Sequence, residues 1–510
     1  MRMDFRYVVF VWALALPAHA QVRPGAGVEL EEVVQAALTN SPEIERGRLA
    51  VEAEAGARLL AASPFDLQVR ADVRSGRDAL PLAGGHNGLL VTESVETGTS
   101  MLKSFRSGIA MSLDLSLGRL RSSAGGVPAN QIRTWVSLLV PLAGGRGGGA
   151  AAGAERAAQE SYAASRLERD HIAARAVHDA VRAYWLYLAA HEQLKTHLES
   201  AERARRLVEE TRVLIRADER PMSDLDLMAS NLAQKQTAVT AARQTVLDAR
   251  HALGIAMGLG ADAIGALGPP STGFPEAGGD LAVPIASETR ARIVRMALSA
   301  RRDLAGLQAR HTGARLAWEG SLQDLRARWD VLARVGYTRI SQGLVPGAGS
   351  SPERAHGGVN GLIQVQYEPL AINRAVRGTA RRAAALERTA AIAADDLTRR
   401  IEANVRVAME RLDNAVREAL AAREAVRLSE RSVVTEQEKF RLGLATLFDA
   451  ILAEDSLTNA RLRRTNAQYR FSAALARFRF ESGTLLQTAA DAVTADASSM
   501  TTFAFEERKR

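Results

Sequence analysis

Cysteine is absent from the 510 residues of this chain, and aromatic residues make up only 5% of it. The lack of cysteine excludes disulfides, thiolate metal sites and lipid attachment through an N-terminal cysteine. A shortage of bulky side chains argues against an ordinary compact core, whereas abundant alanine favours helices that approach one another closely. The remaining composition, 47% hydrophobic and 24% charged, is typical of a folded protein.

Long apolar runs are also missing, except near the N-terminus. A basic start, the apolar stretch Val8 to Leu16 and the small residues Ala18 and Ala20 predict a secretory signal peptide over residues 1–20. After it, no apolar run approaches the ~20 residues of a membrane-spanning helix. We therefore expect an exported protein that is either soluble or a β-barrel.

The formal net charge is +8 and the isoelectric point is about 10. A nucleic-acid-binding protein would have such values, but it would also concentrate its basic residues in a patch. Here arginine alternates with glutamate and aspartate along helical segments, which is typical of solvated helix faces. The sequence therefore predicts no nucleic-acid partner.

Two parts of the chain, residues 21–270 and 271–483, follow the same plan. A helical segment opens each repeat, from Ala37 in the first and over 290–320 in the second. Alternation of apolar and polar residues, the period of a β-strand, then predicts strands at 65–75, 131–140, 328–338 and 359–368. A soluble sandwich would show the same alternation, and strands of about ten residues with aromatics near their ends also fit the wall of a membrane barrel.

The two repeats differ between their strands. The first carries 36 more residues there than the second, within the segment 76–130. Ile109 to Leu117 alternates cleanly in this insertion, and Gly/Ser-rich stretches flank it. We interpret the insertion as an extra strand or hairpin on a loop at the outer end of the barrel.

A long helical hairpin is predicted in each repeat, over 150–257 and 375–481, with turns at 216–224 and 441–449. Proline is absent from Ala150 to Ile215, so this outgoing helix is expected to reach roughly 100 Å. The returning arms are shorter, so another helix has to continue each column, and the opening helices suit that role. Thr446 and Asp449 have the spacing of a helix cap.

These features together resemble the TolC-type outer-membrane efflux factors. The residues that carry the resemblance are Phe440 to Ala460, VPLAGGRG from Val140 and the segment Asn40 to Glu43, and the match extends over about residues 28–485. The resemblance implies a mainly α fold with a small β part. Three protomers would each give four strands to one outer-membrane β-barrel, which a long periplasmic α-helical barrel continues.

The resemblance also implies a function without catalysis or cofactor: passive conduction of substrates in tripartite efflux or type I secretion. The implied partners are two further copies of the chain, outer-membrane lipid, a periplasmic adaptor (membrane fusion) protein and, through the adaptor, an inner-membrane pump. Adaptor-contacting tips are expected at Arg216, Asp218, Pro221, Asp224, Arg441, Leu442, Gly443, Thr446 and Asp449. A periplasmic entrance ring is placed at Glu436 and Glu438, although a solvated helix face is the favoured interpretation for either residue alone.

Other signals favour structural roles. GGRGGG at 144–149 imitates a phosphate loop but lacks its lysine, so we interpret it as a bend where backbones crowd. YWLYL at 184–188 is predicted to be an aromatic packing cluster. Trp135 and Trp329 are expected in an interfacial belt, and the C-terminal tail, 484–510, is expected to be weakly ordered.

Two other functions remain open at this stage. A secreted periplasmic coiled-coil adaptor or scaffold protein without a barrel would explain the hairpins but not the alternating strands. An exported hydrolase would need a catalytic constellation. The histidines at 171, 178, 191 and 197 lack the HExxH arrangement of a zinc site, and no Ser-His-Asp arrangement can be argued from spacing.

Overall fold

The computed structural model describes residues 27–81, 89–122, 128–143, 149–217, 221–277, 287–342, 355–369, 374–442, 444–489 and 492–494. The predicted signal peptide at 1–20 lies outside these residues. So do the tip residues Asp218 and Gly443 and most of the glycine-rich segment at 144–149.

The described chain is mainly helical and contains one six-stranded antiparallel sheet. Its first part contains helices α1 (Leu30–Asn40) and α2 (Pro42–Ala62), strands β1 (Leu67–Pro81), β2 (Leu89–Ser104), β3 (Ala110–Ser122) and β4 (Ala129–Ala143), and helices α3 (Gly149–Arg216), α4 (Ser223–Ala256) and α5 (Ala261–Gly265). Its second part contains α6 (Ser287–Ala300), α7 (Arg302–Gln323), β5 (Arg328–Gln342), β6 (Ala355–Glu368), α8 (Arg374–Arg441), α9 (Leu447–Glu481), β7 (Gln487–Ala489) and β8 (Ala492–Thr494).

The hairpin helices have nearly equal lengths in the two halves. Helices α3 and α8 each contain 68 residues, and the returning helices α4 and α9 contain 34 and 35. At 1.5 Å per residue the outgoing helices are each ~100 Å long. Such lengths are possible because neither α3 nor α8 contains proline, which would remove a backbone hydrogen bond and kink the helix.

Both returning helices end in the same way. Gly258 and Gly483, just beyond α4 and α9, have positive φ angles of 71° and 72°, which a residue with a Cβ adopts only with strain. A Cβ at Gly258 would lie 2.4 Å from the carbonyl oxygen of Asn40, the last residue of α1. A Cβ at Gly483 would lie 3.1 Å from the Cβ of Ala300, the last residue of α6. The repeat is thus visible in matching contacts.

The helical segments predicted from Ala37 and over 290–320 are present, but each is interrupted at one residue. In the first half Ser41 has extended backbone, φ −64° and ψ 120°, because Pro42 disfavours helical geometry in the residue before it. In the second half the break falls at Arg301. Its guanidinium is 7% exposed and is held by Asp303 at 2.7 Å and Glu481 at 2.5 Å.

The chain forms two compact units that do not coincide with the sequence repeats, because each takes segments from both. The first, which we call the helical unit, comprises Met1–Arg48, Glu168–Asp303 and Thr398–Arg510. The second, the sheet unit, comprises Leu49–Leu167 and Leu304–Leu397 and contains all six strands of the large sheet.

The core of the helical unit is built around YWLYL. Tyr184 and Trp185 are fully buried, and Tyr187 is 2% exposed. The Tyr184 hydroxyl donates to the Thr272 carbonyl at 3.0 Å, and that of Tyr187 donates to the Gly268 carbonyl at 3.0 Å. The cluster therefore packs and fastens chain segments, as predicted. Leu485 also belongs to this core, so the tail expected at 484–510 begins with ordered residues, although 495–510 lie outside the described residues.

The large sheet has the strand order β1-β2-β3-β4-β5-β6, and all neighbours are antiparallel. The insertion at 76–130 supplies an extra hairpin, as predicted, but the prediction that this hairpin lies on a loop at the outer end was wrong. The described residues of the insertion extend β1 to Pro81 and form β2 and β3, which pair within the large sheet. Sequence alternation indicated β3, but β2 was missed because threonine, serine and glycine occupy much of it.

Candidate functional site: the exposed apolar sheet face and the hairpin tips

One face of the large sheet is apolar from edge to edge. Directly paired residues share a face, and the row Val69, Met101, Leu113, Val136 and Val335 crosses five neighbouring strands. We call this surface the apolar sheet face. Its exposed large residues are Leu67, Val69, Val73, Val95, Met101, Met111, Leu113, Leu115, Leu117, Val136, Leu138, Trp329, Val335, Tyr337, Val359, Ile363, Val365 and Tyr367.

The exposure of this face is the reverse of that in a water-soluble sheet. In β3 the leucines at 113, 115 and 117 are exposed, whereas Ser112, Asp114 and Ser116 on the opposite face are half-buried. In β6, Ile363 is 79% exposed. Contiguous apolar patches of this extent are rare on soluble monomers and indicate contact with another apolar phase.

The two ends of the apolar sheet face carry different residues. At the end where the strands join the helices, the rings of Trp329 and Tyr367 lie 4.4 Å apart. At the opposite end the same face becomes charged, where Glu93 is paired with Arg77 and Arg121 on the neighbouring strands. An apolar band between aromatic and charged borders is typical of a membrane-facing sheet.

The opposite face, which we call the polar sheet face, carries charges of both signs. Arg74 contacts Asp72 at 2.7 Å, and the Arg334 guanidinium lies 5.1 Å from the centre of the Trp135 ring. Trp135 was expected in an interfacial belt, but it lies on the polar sheet face opposite Gly336. Gly336 leaves room for the ring, since a Cβ there would lie 2.4 Å from it.

The two edge strands are long and have free outer edges. Within the described residues, β1 with 15 residues pairs only with β2, and β6 with 14 residues pairs only with β5. Unpaired backbone amide and carbonyl groups along such an edge require water or another strand.

The start of α3 is closed to a phosphate group. Gly149 has a φ of 52°, and a Cβ there would lie 2.0 Å from the Asp324 carboxylate. The same carboxylate accepts a hydrogen bond from the Ala150 amide at 3.2 Å. Because an anion of the chain already occupies this helix N-terminus, the positive φ of Gly149 and the nearby Asp324 side chain, rather than phosphate binding, explain the glycine.

The tips of the two hairpins lie together in the helical unit. Val208, Met228 and Leu447 form a small buried cluster that joins the ends of α3, α4 and α9. Around it are large apolar side chains that are exposed: Met222, Leu442, Leu444, Phe448 and Leu452. We call these five residues the tip patch. Sequence reasoning found only Leu442 among them, because an isolated leucine or phenylalanine beside a turn carries no periodic signal.

The tip residues chosen from the sequence have different local roles. Thr446 and Asp449 form the predicted cap of α9: the Thr446 hydroxyl accepts from the Asp449 amide at 3.2 Å, and the Asp449 carboxylate accepts from the Thr446 amide at 2.9 Å. The Thr446 hydroxyl also donates to the Asp449 carboxylate at 2.6 Å, and this bond, together with the bond from the Thr446 amide, lowers the pKa of Asp449. Pro221 lies two residues before α4, which begins at Ser223.

The remaining candidates lie at helix ends. Arg216 and Arg441 are the last residues of α3 and α8, and Asp224 lies in the first turn of α4. Glu436 is half-buried and pairs with Lys439 at 2.7 Å, whereas Glu438 is exposed. The entrance ring proposed for these two glutamates stays a prediction, since it requires further copies of the chain.

Buried polar contacts fasten the two hairpins to each other, and sequence analysis missed them. Arg203 of α3 donates to Glu454 of α9 at 2.6 Å, with exposures of 19% and 10%. Beside this ion pair, the Thr458 hydroxyl donates to Ser200 at 3.1 Å. Burial of a paired charge in this position fixes the register of α3 against α9. No sequence motif marks such pairs, because the partners are about 250 residues apart.

Within the described ranges, none of the helices combines the length and the apolar character that crossing a membrane requires. The same residues contain no group of three or more histidine, aspartate or glutamate side chains that could hold a metal ion.

Comparison with solved structures places the fold among bacterial outer-membrane channels. The Campylobacter jejuni CmeC outer membrane channel is 14% identical, with a TM-score of 0.65 over 89% of this chain and 85% of that one. The outer membrane protein VceC of Vibrio cholerae is 14% identical, with a TM-score of 0.65 over 89% and 96%. The open-state MtrE outer membrane channel of Neisseria gonorrhoeae is 15% identical, with a TM-score of 0.61 over 89% and 88%.

Sequence comparisons give no match: no protein-family model fits the chain, and no curated protein is significantly similar to it. Similarity at 14–15% identity establishes the fold and not the cargo or the partners. The resemblance seen in the sequence is confirmed at that level, and the chain has the fold of the TolC-type outer-membrane efflux channels.

Proposed function

We propose that the protein is the outer-membrane channel component of a tripartite efflux or type I secretion system. It conducts substrates passively from a periplasmic adaptor and an inner-membrane pump to the outside, without catalysis or cofactor. The observation that carries this proposal is the apolar sheet face, on which the large apolar side chains are the exposed ones.

The apolar sheet face is suited to lipid. On β5 the apolar residues from Trp329 to Tyr337 extend over nine positions, about 27 Å along the strand. Strands of a membrane barrel are tilted by ~40° and present an apolar band ~25 Å tall. With that tilt, the ~27 Å apolar stretch of β5 has a height across the membrane of roughly 20 Å, close to that of such a band. The aromatic end of the apolar sheet face then lies at the periplasmic border and its charged end at the outer border.

The free edges of β1 and β6 support assembly from several copies. A sheet edge in lipid leaves backbone groups without hydrogen-bond partners, so a membrane sheet has to close. Six strands are fewer than the eight of the smallest single-chain membrane barrels. We propose that three copies close the barrel together, with β1 of one copy paired to β6 of the next.

The tip patch supports a contact with a partner protein. Phe448 is 63% exposed and Leu444 is 75% exposed at the tip of the second hairpin, and Met222 beside the tip of the first is 70% exposed. An apolar cluster with a polar surround is typical of a docking surface. We assign it to the periplasmic adaptor. Arg216 and Arg441 are the last residues of α3 and α8, and we assign them to the same contact.

Paired substitutions at adjacent positions of β3 test the membrane assignment. Leu115→Arg places a charge on the apolar sheet face and is expected to destabilise the inserted state by about 2–4 kcal/mol for each chain. Ser116→Arg adds the same charge to the polar sheet face and is expected to have little effect. The measurement is the amount of heat-modifiable trimer in the outer-membrane fraction.

A soluble scaffold gives the opposite result. If the protein remains in the soluble periplasmic fraction without detergent, or if the two substitutions have equal effects on insertion, the channel assignment is wrong. Planar-bilayer recordings of the purified trimer provide the second measurement, because a scaffold without a barrel gives no ion conductance.

A further inference from the structure

The large sheet contains two strands more than the resemblance implied. β5 and β6 are adjacent and antiparallel, and β1 and β4 are the corresponding pair of the first half. In this chain β1 and β4 do not pair with each other, because β2 and β3 lie between them. The sheet therefore has six strands where four were expected.

The inserted strands are integral to the sheet. β2 pairs with β1 from Leu89 to Lys103, and β3 pairs with β2 from Ala110 to Ser122. Their lengths, 16 and 13 residues, are close to the 15 residues of each flanking strand. Their apolar residues also continue the apolar sheet face, since Met101 and Leu113 lie in the row between Val69 and Val136.

The turn between the inserted strands is fastened to the rest of the sheet unit. Arg106 in this turn donates from Nε to the Glu155 carboxylate of α3 at 2.6 Å, and its guanidinium lies 5.0 Å from the centre of the Phe65 ring. The hydrogen bonds from Arg106 lower the pKa of Glu155. Lys103 donates to the Phe65 carbonyl at 2.5 Å. These contacts hold the hairpin in the plane of the sheet at the end where the helices begin.

From this arrangement we infer that the channel opens to the outside through a barrel of about 18 strands, wide enough for bulky hydrophilic cargo. The inference rests on the trimer of the proposed function. Barrel diameter grows roughly in proportion to strand number, so 18 strands give a diameter about 1.5-fold, and a cross-section about 2.2-fold, that of 12 strands. Barrels of about 16–18 strands enclose an aqueous channel.

The polar sheet face would line the interior of this barrel, so its residues indicate which cargo can pass. The inserted strands contribute Glu96 and Asp114 to it, and their neighbours contribute Asp72, Arg74 and Arg133. Charges of both signs with intervening serine and threonine favour hydrated cargo over apolar cargo. Hydrophilic polymers or small folded polypeptides are therefore the substrate class that the wall admits.

A size-exclusion measurement from outside the cell tests this inference. The chain has no cysteine, so Gln364→Cys places a single thiol on the exposed polar side of β6, and Ile363→Cys places one on the apolar side. Both are combined with deletion of residues 89–127, which joins β1 to β4 through 82–88. Intact cells are treated with maleimide–polyethylene glycols of graded size. We expect the largest reagent that labels Gln364→Cys to be about 1.5-fold wider in the full-length chain than in the deletion variant.

The outcomes separate this inference from the proposed function. An equal size limit in both chains overturns the wide barrel but leaves the channel intact. Rapid labelling of Ile363→Cys by the same hydrophilic reagents, with the protein recovered from the soluble fraction, overturns the channel itself. If the deletion variant does not insert, the strand count of the full-length trimer in electron cryo-microscopy decides: 18 strands support the inference, and 12 strands overturn it.

Discussion

Some buried side chains of this protein connect neighbouring helices. His171 of α3 is such a residue, because it contacts the Phe480 ring with centroids 5.6 Å apart and lies 3.8 Å from the Asp303 carboxylate. Burial lowers its pKa; Arg301 and Arg175 lower it further, while Asp303 and Glu481 act in the opposite direction. The folded helical unit therefore favours the neutral ring.

This arrangement predicts acid sensitivity of the helical unit. Because the folded-state pKa of His171 lies below its unfolded value of ~6.5, the stability it contributes is complete above that pH and declines as pH falls through 6.5 towards the folded-state pKa. In thermal unfolding of the trimer, we expect His171→Gln to show a flatter decline below about pH 6.5 than the unsubstituted protein. The exposed His251 of α4 provides the control, since His251→Gln is expected to leave the profile unchanged. Equal slopes for all three proteins would show that the buried ring has no part in the acid response.

At the scale of elements, the sequence predicted long features better than local breaks. The proline-free stretches and capping residues indicated the hairpins, because their signals are local and repeat over many turns. Ser41 interrupts the first opening helix because a proline follows it. Arg301 interrupts the second, where its side chain enters a buried cluster of ion pairs. β2 lacked a signal because Thr97 and Thr99 stand where an apolar residue was expected on the exposed face.

The tip patch at the ends of the hairpins is expected to bind the adaptor. Phe448→Glu removes the largest side chain of the tip patch, and loss of its burial on docking is expected to weaken adaptor binding by roughly tenfold or more. Leu428→Glu on the exposed surface of α8 makes a comparable change outside the tip patch, and we expect little loss of binding. The measurement is adaptor affinity, together with trimer level as a check on assembly. Equal losses for both variants would exclude the tip patch as the docking surface.

The whole molecule differs from a soluble protein in that its large sheet exposes apolar side chains instead of burying them. A soluble sheet would hide Leu113, Leu115 and Ile363, whereas this one presents them. Sequence alternation located most of the strands but could not decide which face meets which medium, since a sandwich and a membrane wall share the same period. The structure adds that one chain presents an apolar sheet face with two free edges.

Disulfide cross-linking tests whether β1 of one copy pairs with β6 of the next. Cysteines at Gln68, Asp72 or Arg74 of β1 are combined with cysteines at Asn360, Leu362 or Gln364 of β6, all on the polar sheet face of a chain without other cysteines. We expect at least one combination to form disulfides between chains, and we expect the cross-linked ladder to end at three chains. Cross-linking within a single chain, ladders beyond three chains, or no cross-link in any combination would contradict it.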